Sequence, residues 1–200
     1  MGSVAEAIGR TPADRVKAGP PVVCWFEECR KESVPLVGGK CASLGELINA
    51  GVRVPPGFAL TTEGYRRFMA AAGTDREVRS LLAGLDAQDP GALEKASAGI
   101  RALIEAQPFS IEIEDLVAEC YRKLAVRCGV PGLPVAVRSS ATAEDLLGAS
   151  FAGQQDTFLW IRGVDDVLVH MRRCISSLYT GRAIAYRANR GFGDAEVAMS

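Results

Sequence analysis

Two short stretches carry residue types suited to holding an anion. The first is "VGGKCASLG", residues 37–45. Its paired glycines, Gly38 and Gly39, let backbone amides approach a ligand. Lys40 adds a point charge at a helix start, where the dipole already favours negative groups. The second is "VAVRSSATAEDLLGASFAGQ", residues 135–154. Here an apolar strand runs into Arg138, and Ser139, Ser140 and Thr142 follow with hydroxyls. Strand ends of this kind are where α/β folds place ligand-binding groups. Gly153 allows close backbone approach, and Glu144 and Asp145 either hold a metal or cap the turn.

Neither stretch is a mononucleotide P-loop. A Walker A motif needs glycine at the position of Val34 and Ser or Thr at the position of Cys41. On residue types alone, the first also fits a glycine turn capping a helix beside a solvated lysine. The second also fits a polar loop with Arg138 paired to Glu144 or Asp145.

The elements that must position these residues alternate along the chain. "VVCWF" (22–26) is a β-prone run, and "GKCASLGELINAG" predicts a helix stopped by Gly51. Prolines force "VPPGFALTT" to be extended. A helix is expected from Thr61 or Thr62 to Gly73, with Tyr65, Phe68, Met69 and Ala72 on one stripe. Residues 75–129 read as helices, with Asp89-Pro90 and Ser110 as N-terminal signals. In the last of these helices, acids at the start and Arg122, Lys123 and Arg127 at the end suit the dipole. Strands return at 134–138 and 156–161, where alternation puts Phe158 and Trp160 on one face. Helices are expected across 164–178 and 180–189. The closing "EVAMS" begins strand-like, so the chain is expected to be part of a longer whole. The expected division is a leader at 1–21, lobe segments at 22–74 and 131–200, and a helical insert at 75–130.

Bulk composition excludes little. The 200 residues carry a formal net charge of -1 and are 48% hydrophobic, an ordinary balance for a globular protein. No apolar run reaches the ~20 residues of a membrane span, and the N-terminal residues lack the apolar core of a secretion signal, so a loose polar leader is expected there. The six cysteines form no CxxC pair and keep no histidine cluster, so zinc is not expected. Reduced thiols and a cytoplasmic location are expected instead.

"VGGKCASLGELINAGVRVPPGFALTT" and "VAVRSSATAEDLLGASFAGQQDTFL", with "SLYTGRAIAYR" after them, closely resemble the nucleotide-binding domain of the phosphoenolpyruvate synthase and pyruvate phosphate dikinase family. The resemblance implies an α/β (α+β) fold: an ATP-grasp-like N-terminal lobe, a mixed sheet with flanking helices and a helical insert. It implies ATP and Mg2+ as ligands, with Lys40 and Arg138 on the phosphates and Gly153 and Thr157 beside the nucleotide. Gly38, Gly39, Ser139, Ser140 and Arg182 are implied as supporting residues, and Glu144 and Asp145 as shaping the loop. For Arg182 and Arg187 a structural ion pair is the competing expectation.

In that family ATP phosphorylates a histidine on another domain, which passes the group to an acceptor such as pyruvate. The only histidine here is His170. "VLVHMRRC" lacks the family's Thr-Ser-His carrier signature, and His170 is expected on the polar face of its helix. The carrier histidine, the second lobe and the metal ligands are therefore expected elsewhere, as further domains or subunits. Phenylphosphate synthases and rifampin-type phosphotransferases share this kind of domain and remain alternatives. A non-enzymatic alternative is an anion or nucleic-acid module using the Arg172–Arg190 stripe, with Arg172 and Arg173 otherwise solvating the outer helix face. Overall charge argues against it.

Overall fold

The computed structural model describes residues 19–140, 156–190 and 199. Strand β1 (Val23–Trp25) leads through short helical turns at Phe26–Glu28 and Lys31–Ser33 into helix α1 (Val34–Asn49). Strand β2 (Phe58–Leu60) returns antiparallel to β1, with Val23 opposite Leu60 and Trp25 opposite Phe58. Helices α2 (Thr62–Ala70), α3 (Thr74–Leu82), α4 (Pro90–Ala106) and α5 (Ile111–Cys128) follow. Strands β3 (Val135–Arg138) and β4 (Thr157–Ile161) form a second antiparallel pair, and α6 (Val164–Ser177) and α7 (Gly181–Arg190) complete the order. Helix and strand are thus mixed as expected, with the described strands arranged as two antiparallel pairs.

Local chemistry explains the helix starts. Thr61 accepts from the Gly64 amide, Asp89 from the Gly91 and Ala92 amides, and Ser110 from the Ile113 amide. Each satisfies an amide that the first turn leaves without an intrahelical partner. Helix α5 ends on Gly129 in the left-handed conformation. Helix α2 stops at Ala70, short of Gly73. There the chain tightens into the Ala71–Gly73 turn, with Ala72 itself at positive φ.

The main core is built from both halves of the chain. Phe68, Ile100, Ile104, Ile113 and Val117 are buried with Val167, Ile175 and Leu178, so α4 and α5 pack in the same cluster as α6. A buried tether holds the α2 side of this cluster: Thr74 donates to Gln107, whose amide donates to the Phe68 carbonyl. A second, smaller cluster of Cys24, Cys29, Val37, Cys41, Ala42 and Ala59 lies between α1 and the β1–β2 pair.

Tyr121 joins three elements. Its buried hydroxyl donates to the Leu133 carbonyl at 2.8 Å and accepts from the Gly163 amide at 2.9 Å, just before α6. Tyr121→Phe strips a partner from each of those backbone groups. It is expected to lower stability by about 1–3 kcal/mol. The urea midpoint should fall with the m-value unchanged. An unshifted midpoint would show that the hydroxyl is not a structural joint.

One face assignment is corrected. Phe158 and Trp160 do not share a face: Trp160 has φ +62° and is 75% exposed, while Phe158 is half-buried against the core. The ladder pairs Val135 with Ile161 but Val137 with Phe158, so the longer strand bulges at Leu159 and Trp160. A bulge adds a residue and breaks the two-residue alternation.

Candidate functional site

Helix α1 is broken at Gly38, whose φ and ψ of 67° and 167° are not helical. The chain makes about one turn from Val34, reverses at Gly38 and starts its main helix at Gly39 and Lys40. That second start faces the end of β3. The Ser140 hydroxyl donates to the Val37 carbonyl at 2.9 Å and accepts from the Cys41 amide at 3.4 Å. It serves as a helix cap supplied from about a hundred residues away. A Cβ on Gly38 would lie 2.4 Å from both the carbonyl oxygen and the Oγ of Ser140. Only glycine fits this junction.

The two stretches singled out by residue type therefore meet. Lys40 is half-buried and its ammonium donates to the Ser139 carbonyl at 3.3 Å. Ser139 and Ser140 are each 2% exposed, and Gly38 and Gly39 are buried. Arg138 is exposed and, among the described residues, makes no ion pair or side-chain hydrogen bond. Thr157 stands directly opposite Arg138 across the β3–β4 ladder. Facing residues of an antiparallel pair hold their Cβ atoms roughly 4.5–5.5 Å apart. Thr157 is thus the cross-strand neighbour of Arg138.

Lys40, Arg138, Ser139 and Ser140 border a cavity of about 380 Å³. The rest of its wall is chiefly apolar, from Val54–Leu60 on one side and from Leu124, Val137, Met171 and Ile175 on another. Such a mixture, largely apolar with a few convergent polar groups, is what small-molecule sites offer. Cys174 also borders the cavity. Burial, aided by Asp156, pushes its thiol up to about 12, and the Lys40 charge pulls the other way. It stays a neutral thiol at ordinary pH.

Several expected residues fall elsewhere. Arg182 is exposed on α7, lines no part of this cavity and pairs with no acid among the described residues. Arg187 is 2% exposed, donates to the Leu178 carbonyl and stacks over Tyr179 at 5.3 Å. Arg172 is corrected: it is half-buried and donates to the Glu105 carbonyl at 3.1 Å, closing the end of α4. With Arg172 and Arg187 occupied internally, the basic stripe is not a continuous surface. His170 is corrected too. It is half-buried, with Nδ1 2.7 Å from the Asp166 carbonyl oxygen and its ring edge-on to Phe158 at 4.8 Å. Thr142, Glu144, Asp145 and Gly153 lie outside the described residues.

The wall contributed by Val54–Gly57 and by Tyr121 and Leu124 has no signal in residue type. Apolar residues announce burial, not which cavity they border.

With this geometry in view, comparison with known proteins is decisive. Residues 34–200 match the family model for the pyruvate phosphate dikinase AMP/ATP-binding domain. The chain belongs to that family. Relatives of this AMP/ATP-binding domain include a probable phosphoenolpyruvate synthase of Methanocaldococcus jannaschii, 45% identical over 193 residues. Another is a probable phosphoenolpyruvate synthase of Methanothermobacter thermautotrophicus, 47% identical over 175 residues. A third is the phosphoenolpyruvate synthase of Neisseria meningitidis serogroup B, 46% identical over 182 residues. These matches cover 96%, 88% and 89% of this chain but only 16%, 26% and 23% of the respective relatives. The chain thus corresponds to about a quarter or less of each. Among the described residues, no helix is long and apolar enough to cross a membrane.

Proposed function

We propose that this chain supplies part of the ATP site of a phosphoenolpyruvate synthase-type phosphotransferase. In this reading Lys40 and Arg138 hold the phosphates. The observation that carries it is the meeting of the Gly38–Lys40 turn with the Arg138–Ser140 strand end at one cavity.

Phosphoryl transfer asks a protein for positioning and charge neutralisation more than for covalent chemistry. Lys40 offers a mobile ammonium, and Arg138 offers a planar fork that matches two phosphate oxygens. The start of the main α1 helix adds the favourable end of its dipole. In this reading Thr157, across the ladder from Arg138, offers a hydroxyl to the nucleotide, and Gly153 a backbone contact. Magnesium enters with the nucleotide, its protein ligands lying outside this chain.

In the full reaction ATP leaves as AMP. One phosphoryl group goes to a carrier histidine on another domain or subunit and then to an acceptor such as pyruvate, and the other goes to water or phosphate. Neither the position nor the contacts of His170 suit it to be that carrier. A second lobe would close over the cavity from the opposite side.

Calorimetric titration of the chain with Mg-ATP tests the reading. A Kd below ~100 μM corresponds to about -5.5 kcal/mol. Lys40→Ala is expected to weaken binding roughly tenfold, through loss of one charge-assisted contact. Unchanged affinity in that variant would remove Lys40 from the site. Binding no tighter than several millimolar by a folded chain would assign most of the site to the second lobe.

A further inference from the structure

We propose that Cys24 and Cys29 form a reversible disulfide, made by a hydroperoxide, which alters the position of the helix carrying Lys40. The consequence for affinity rests on the ATP reading above, whereas formation of the bond does not.

The two sulfurs are 3.7 Å apart and within hydrogen-bonding distance of each other. Only a single short turn, Phe26–Glu28, separates the residues, and its side chains are partly exposed. Closing to the ~2.05 Å of a disulfide needs a shift of well under one residue length. Both thiols are free here, and each also reaches the Trp25 carbonyl, Cys24 at 3.5 Å and Cys29 at 3.3 Å. The pair is asymmetric in access, with Cys24 8% exposed and Cys29 0%.

Asymmetry sets the order of events. A hydrogen bond from Cys29 holds the Cys24 thiol below the usual range, against burial and the charges of Glu27 and Glu28. The same contact, with burial and the nearby Cys41 and Glu28, holds Cys29 high. Cys24, the one of the two cysteines that reaches the surface, attacks the peroxide oxygen through its thiolate, giving a sulfenic acid and an alcohol or water. The Cys29 sulfur then attacks the Cys24 sulfur, a second water leaves, and the disulfide forms. Two thiols are oxidised and one peroxide is reduced. A small thiol reverses the step by exchange.

The link to the cavity is steric. Cys29 is packed hard on α1, since a Cβ on Gly45 would lie 2.3 Å from the Cys29 carbonyl oxygen and 2.8 Å from its Cβ. Cys41, next to Lys40, belongs to the same small buried cluster and also borders the cavity. Any movement of the Cys29 backbone toward Cys24 would act on this contact, and close-packed interiors transmit such shifts.

The test treats the 200-residue chain with hydrogen peroxide and digests it with trypsin. Cleavage after Lys17 and Arg30 leaves both cysteines in one peptide, residues 18–30. The expected product is that peptide lighter by two hydrogens, restored by dithiothreitol and absent in Cys29→Ser. A peptide that keeps both thiols while the exposed Cys128 is oxidised would overturn the proposal. The oxidised chain is expected to bind Mg-ATP on the order of tenfold more weakly than the reduced chain, the scale of a small misplacement. A disulfide that leaves affinity unchanged would overturn the coupling. Failure of the reduced, folded chain to bind nucleotide would assign most of the ATP site to the second lobe and leave the mass result to decide the thiol pair.

Discussion

Gly38→Ala is expected to abolish measurable Mg-ATP binding and to destabilise the protein by roughly 2–6 kcal/mol. Two separate effects add at this position. The backbone, at φ 67° and ψ 167°, occupies a region essentially reserved for glycine. The new methyl group would also lie 2.4 Å from the Ser140 carbonyl oxygen and Oγ, so the Arg138–Ser140 strand end must move away. That movement would break the Ser140 bond to Val37 and separate Lys40 from Arg138. Gly51 provides the comparison, because it has φ +79° at the other end of α1 and a methyl group there would meet nothing within 4 Å. Gly51→Ala should show the conformational cost alone and keep nucleotide affinity. Urea unfolding of both variants checks the difference. Equal losses would mean that the close contact with Ser140 contributes nothing.

The second large effect concerns Arg138. Arg138→Ala should weaken Mg-ATP binding by roughly a hundredfold, the worth of a two-pronged charged contact. Arg138→Lys should recover only a small part of this, although the charge is kept. An ammonium is a point donor, and it cannot reproduce a planar fork aimed at two oxygens. The side chain is exposed and has no partner to lose among the described residues, so neither variant should shift the thermal midpoint much. Calorimetry with matched thermal melts separates the cases. Full affinity in Arg138→Lys would reduce the role of Arg138 to long-range attraction.

Local chemistry is legible in the residues, and long-range chemistry is not. Asp89, Ser110 and Thr61 cap helices as their types and neighbours suggest, because each cap acts within three residues. The inward stripe of α6, including Val167, Leu168 and Ile175, follows from helical spacing alone. Trp160 leaves its expected face because strand alternation holds only while the ladder is regular, and a bulge leaves no clear mark in residue type. Arg172 has the type and spacing of a solvated helix residue, and only the packing of α4 brings the Glu105 carbonyl beside it.

The candidate site divides in the same way. Lys40 and Arg138 stand out by type and by their places at a helix start and a strand end. That Ser140 faces Val37 and Cys41 rather than the cavity alone is a fact of tertiary packing. The nearness of Cys41 to Cys24 and Cys29 likewise requires α1 to be packed against β1.

The Ser140 clasp has a consequence for how the protein is made. Its hydroxyl meets the Val37 carbonyl across 103 residues of chain. A ribosome adding about 5–20 residues per second takes roughly 5–20 s to cover that distance. Throughout this interval the Gly38 turn emerges without its cap, while α2 to α5 have time to form. Synonymous codon changes that slow or speed translation between α1 and β3 would therefore act on the Gly38 turn before they act on the helices.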